Sequence, residues 1–164
     1  MRHFLIFLIG AGSLIQGRAE DSKLMGTVVS VIDGNTLEIQ SDNSRVVRVF
    51  LYGIDCPELG QAYGEKARIC LQKILLNQQV VVEFVKRDRL GNQYAHVITE
   101  IGVDPRIDLL REGLAWTIQD DAVAELEPYR SFAQQKRKGL WNESKPTPPW
   151  IYRREQSMLQ PKKS

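Results

Sequence analysis

Chemistry in this chain has to come from carboxylates, arginines and aromatic rings, because histidine is nearly absent. Only His3 and His96 occur, and His3 lies in an N-terminal segment that reads as removable. One remaining histidine disfavours serine–histidine, cysteine–histidine and zinc–histidine sites. Two cysteines, Cys56 and Cys70, would suit a single disulfide in an oxidising compartment, a pairing that their spacing does not decide. Arg48, Phe50 and Tyr52 fall on one face of an apolar, β-branched run. That face either stacks nucleic-acid bases or packs beneath a neighbouring helix.

The elements that must position these groups are marked by hydrophobic periodicity and by turn residues. Strands are predicted at Thr27–Ile32, Leu37–Gln40, Val46–Ile54, Val80–Val85 and Tyr94–Ile101. Asp33-Gly34, Asp42-Asn43-Ser44 and Gly91-Asn92 supply the reversals between them. A first helix is predicted from Tyr63 to Asn77, with Ala67, Leu71, Ile74 and Leu75 on one side. A second opens at Asp104-Pro105 and stops at Gly113, and a third begins near Pro128 and stops at Gly139. Strands followed by helices imply an α+β fold. After Trp141 the chain turns polar and proline-rich, through Pro146, Pro148 and Pro149, before a charged tail.

Arg2, the apolar run from Phe4 to Ile9 and Gly17-Arg18-Ala19 read as a secretory signal over residues 1–19, removed near Ala19. Export to a periplasm or out of the cell is the expectation. Its removal takes away Arg2 and Arg18 and leaves 20 basic residues against 20 acidic ones, a formally neutral chain. Sequence-independent binding of polyanions runs on cationic excess, so any nucleic-acid contact must use a local patch. Charge is uneven: residues 104–127 hold seven acids against Arg106 and Arg111, whereas 129–164 hold nine bases against Glu143 and Glu155.

Two segments then carry a resemblance. Val31-Ile32-Asp33-Gly34-Asn35-Thr36 and Tyr52-Gly53-Ile54-Asp55-Cys56-Pro57-Glu58 are similar to the signature segments of the staphylococcal nuclease (thermonuclease) family. Tyr63-Gly64 with Ala67, Asp88-Arg89-Leu90-Gly91, Leu110 to Ala115, Lys138 to Trp141 and Pro149 to Arg153 follow in register, so the likeness spans residues 26–153. It implies a five-stranded barrel of the oligonucleotide-binding type with three α-helices, preceded by a lead at 20–25 and followed by a basic tail at 154–164.

The resemblance also implies calcium-assisted cleavage of DNA or RNA, which can be checked residue by residue. Asp55 matches one metal-binding carboxylate, but Asn35 stands where the family has the other, and loss of a close anionic ligand weakens a hard-cation site. Glu58 matches the glutamate that orients or deprotonates the attacking water; alternatively it closes the loop by bonding to backbone amides. The two phosphate-binding arginines of the family correspond to Phe50 and Asn92, and neither side chain replaces a positioned cation. Arg48, about 6.6 Å along the strand from Phe50, is the candidate substitute; against it, a displacement near 1 Å already costs rate. Leu90 replaces a rim tyrosine, and Asp88 is read as holding its own turn.

These readings lead to an exported, monomeric domain, with no membrane association once the signal is removed. Hydrolysis is absent or strongly impaired, and the domain binds single-stranded DNA or RNA, or a protein, through positions that include Phe50, Tyr52 and Asn92. A calcium-dependent phosphodiesterase built on Asp55, Glu58 and Arg48, with Asn35 as a weakened ligand, is the alternative.

Overall fold

A computed structural model describes residues 23–119 and 122–159. The predicted signal over 1–19, Asp120 and Asp121 of the acidic stretch and the last part of the tail lie outside the described residues. Strands β1 (Lys23–Val31), β2 (Thr36–Ser41) and β3 (Val46–Leu51) form an antiparallel meander. Strand β4 (Ile54–Asp55) leaves the sheet, helix α1 (Gly64–Leu75) follows, and β5 (Gln79–Arg87) and β6 (Gln93–Thr99) form a hairpin. Pairing of β5 with β1 and of β6 with β3 closes a five-stranded barrel in the order β1-β2-β3-β6-β5.

Alternation explains why each strand takes its place. Val28, Leu37, Ile39, Val49, Leu51, Val80, Val82, Ala95 and Val97 point inward and are buried, joined by Ala67, Leu71 and Leu75 of α1. Helix α2 (Pro105–Arg111) begins as its sequence implies, with the Asp104 side chain accepting from the Arg106 amide and proline in the first turn. The strand β7 (Trp116–Thr117) pairs with β4; α3 (Glu127–Gln135) follows a 3-10 turn.

Three differences from the sequence reading bear on the site. The third strand does not run on to Ile54: Gly53 takes a φ of 87° and turns β4 out of the barrel to pair with β7. The Arg106 guanidinium, buried and forked over Asp104, donates to the Tyr52 carbonyl at 2.9 Å and fixes this turn from α2. A fourth helix, α4 (Pro149–Leu159), was not foreseen; residues 154–159, assigned to a basic tail, form its second half. The prolines ahead of it suggested irregular chain, yet proline at the first helical position is preorganised for a helix start. At the other end, β1 begins at Lys23, so part of the presumed lead is already barrel.

Gly34 lets the turn between β1 and β2 lie against both β4 and α1. A methyl there would fall 2.6 Å from the Cys56 Cβ and 2.7 Å from the Ala67 Cβ. Gly34→Ala is therefore expected to lower stability by about 1–3 kcal/mol, the usual cost of overpacking. A shift of the urea midpoint at unchanged slope checks this.

Candidate active site

The two signature turns are stitched together. In the first, Asp33 accepts from the Asn35 amide and from the Thr36 hydroxyl, both at 2.9 Å. Across to the second, the Asn35 side-chain oxygen accepts from the Cys56 amide at 3.3 Å, and the Cys56 thiol donates to the Gly34 carbonyl at 3.2 Å. Cys56 and Cys70 are both unpaired, and burial pushes the Cys56 thiol well above its ordinary range, so it stays protonated and unreactive.

This junction forms one wall of a cleft of about 740 Å³. Asp33, Asn35, Asp55 and Glu58 meet there with Phe50, Asn92 and Tyr94, as the sequence reading required of all but Asp33 and Tyr94. Parallel pairing of β3 with β6 sets Phe50 beside Tyr94, with ring centroids 5.4 Å apart at 31°. Phe50 thus faces the cleft and is not covered by α1. Asn92 is held by its own loop: its side-chain amide donates to Asp88 at 2.8 Å, and Asp88 also accepts from the amides of Leu90 and Asn92. Asp88 therefore shapes the loop, and Leu90 projects into solvent at the mouth, 88% exposed.

Two expected site residues lie elsewhere. Arg48 faces outward and pairs with Glu38 at 2.7 Å, because these residues are directly opposite in the β2–β3 ladder. It is not among the residues that line the cleft. Tyr52 sits past the end of β3, with its ring edge-on to His96, in a separate cavity of about 480 Å³ that Arg106 and Tyr129 also line.

Among the described residues, the cation that lines the cleft comes from α4. Arg153 donates from Nη2 to Asp55 at 2.7 Å and from Nη1 to Asp55 at 3.2 Å and to Glu58 at 2.7 Å. Helix α4 is seated by aromatic contacts: Trp150 lies edge-on to Trp116 at 5.7 Å, and Trp116 to Trp141 at 4.5 Å. Gln61 ties the intervening loop down, accepting from the Glu58 amide at 2.9 Å and donating to the Thr147 carbonyl at 3.1 Å. Pro149 to Arg153 were visible as a motif, but nothing in the sequence told that its arginine meets Asp55 across the fold.

The family resemblance implies calcium here, and the residues do not fit it. Calcium takes six to eight oxygen ligands with high negative charge. Both Asp33 oxygens accept from their own turn, the Asn35 oxygen from Cys56, and both Asp55 oxygens from Arg153. Among the described residues, no group of three or more His, Cys, Asp or Glu side chains is arranged to hold a metal ion.

Burial pushes the Asp55 carboxyl above its ordinary value of 3.8; Arg153 pulls it back, and Glu58 and Asp33 add to the rise. Without Arg153 the buried carboxylate would lack its counter-charge and its pKa would climb further. Arg153→Gln should therefore cost about 1–2 kcal/mol at neutral pH, less than for a fully buried pair because Arg153 is half exposed. The natural pair stabilises only while Asp55 is ionised, so the deficit should shrink as pH falls through the raised Asp55 pKa. Urea unfolding of both proteins across this range tests the sign.

Comparison with known proteins agrees with the geometry. The family model described as staphylococcal nuclease homologue matches residues 48–143, which ends before α4. An uncharacterized endonuclease of Escherichia coli O157:H7 is 33% identical over 129 residues, covering 78% of this chain and 84% of that protein. A micrococcal nuclease of Shigella flexneri is 32% identical over 141 residues, covering 79% and 80%. Protein ParB of Escherichia coli is 32% identical over 145 residues, covering 82% and 81%. With barrel, cleft and sequence in agreement, the chain belongs to the staphylococcal nuclease homologue family.

Proposed function

We propose that this nuclease-like domain binds single-stranded DNA or RNA, with phosphodiester hydrolysis absent or strongly impaired, and that it acts after export. The observation that carries the reading is the replacement of cleft cations. Phe50 and Asn92 stand where the family places arginines, and the guanidinium present, Arg153, is committed to Asp55 and Glu58. Phosphoryl transfer draws on cations aimed at the equatorial oxygens, worth about 10³–10⁵ in rate for one arginine. Among the described residues that line the cleft, Asp33, Asp55 and Glu58 outnumber Arg153, so a phosphate is not drawn to the carboxylates themselves.

Binding would instead use the side of the cleft formed by β3, β5 and β6. The Phe50–Tyr94 pair offers a face to a base, and the Lys86 ammonium lies 5.3 Å from the Tyr94 ring centroid. Arg87 and Arg89 are exposed on the same hairpin. Aromatic surface beside basic groups is the pattern that holds single strands without sequence readout.

A second reading, a calcium-dependent phosphodiesterase, is favoured by one observation: Asp55 and Glu58 are close enough for a single nitrogen of Arg153 to bond both. The names of the relatives point the same way.

The test is fluorescence anisotropy of a labelled single-stranded oligonucleotide, with its integrity checked on a gel. Salt-sensitive binding of an intact strand is expected. Phe50→Ala or Tyr94→Ala should weaken it about tenfold with little change in salt dependence. Lys86→Ala should reduce the slope of log affinity against log salt by about 0.7. Metal-dependent cutting would favour the second reading, and neither binding nor cutting would turn attention to a protein partner.

A further inference from the structure

We propose that Arg153 is a built-in cation that stands in for the metal ion, so that the family's metal position in this chain is filled by its own fourth helix. This holds whether or not nucleic acid binds at the neighbouring aromatic face. The guanidinium meets both oxygens of Asp55 and one of Glu58, the two carboxylates that match the family's metal-binding and water-orienting groups. Asp55 is 8% exposed, so its charge must be answered by some cation, and an arginine fork answers it without dehydrating an ion. The substitution at position 35 fits the same logic: the Asn35 oxygen is spent on the Cys56 amide, which leaves too little anionic charge to hold a divalent ion against Arg153.

The placement is built into the fold. Helix α4 rests on Trp116 through Trp150, and Trp116 belongs to β7, the strand paired to β4 that carries Asp55. Its register delivers Arg153 to the carboxylates while Tyr152 reaches the loop at Gly60, where an added methyl would fall 2.8 Å from the tyrosine hydroxyl. Displacing Arg153 would therefore expose a carboxylate pair that attracts a divalent or trivalent cation.

Terbium luminescence sensitised by Trp150 and Tyr94, which line the cleft, reports such binding without any reaction. The natural chain is expected to bind terbium, and calcium in competition with it, weakly. Arg153→Gln should bind both at least tenfold more tightly, Arg153→Lys should stay near the natural chain, and Arg153→Gln with Asp55→Asn should lose the gain. Far-ultraviolet circular dichroism shows that each variant is folded. If Arg153→Gln does not fold, nitrogen NMR of the natural guanidinium decides instead. Slowed rotation unchanged by calcium supports the assignment, and signals that calcium releases overturn it. The proposal also fails if the natural chain binds calcium as tightly as folded Arg153→Gln, or if that variant gains nothing.

Discussion

A carboxylate buried as deeply as Asp55, with Glu58 and Asp33 near it, costs free energy unless a cation is held against it. In this chain Arg153 supplies that cation, and much of the C-terminal architecture serves to deliver it. The Trp116, Trp141 and Trp150 rings seat α4, and the Gln61 side chain joins the Glu58 amide to the Thr147 carbonyl just ahead of that helix. The same interaction decides the chemistry available: a carboxylate that is bonded through both oxygens to a guanidinium is not a free ligand.

The barrel contributes a second constraint. Closing five strands requires β3 and β6 to lie side by side in parallel, and that pairing puts Phe50 next to Tyr94 at the cleft. Where an arginine at position 50 would present charge to a phosphate, phenylalanine extends an aromatic surface. The turn at Gly53, held by Arg106, then carries Asp55 away from this surface and toward α4. Aromatic face and carboxylate pair are thereby separate neighbours in one cleft, and that separation is what the proposed binding without hydrolysis rests on.

The barrel strands, α1 to α3 and the Asp104 cap were legible because each depends on local periodicity or on a local hydrogen bond. The approach of Asn35, Asp55 and Glu58 was legible only through resemblance, since their meeting depends on turns whose geometry the residues permit but do not dictate. Arg48 was misplaced because sharing a strand face with Phe50 says nothing of what lies opposite, and Glu38 lies opposite. Tyr52 was misplaced because the strand ends before it. Arg153 was missed for a different reason: its partner is 98 residues away in the chain, and helix α4 hid behind prolines that looked like a stop when they were a start.

The most direct test of the central claim, that this cleft keeps the family scaffold while its chemistry has been replaced, is a cleavage assay in calcium. A fluorescent single-stranded oligonucleotide is given to the natural chain and to the variant Asn35→Asp, Phe50→Arg, Asn92→Arg, Arg153→Gln, in which Asp55 and Glu58 are also released from the guanidinium. The account predicts that the natural protein leaves the strand intact and that the variant cuts it. Cleavage by the natural chain at a rate comparable to the variant would contradict it.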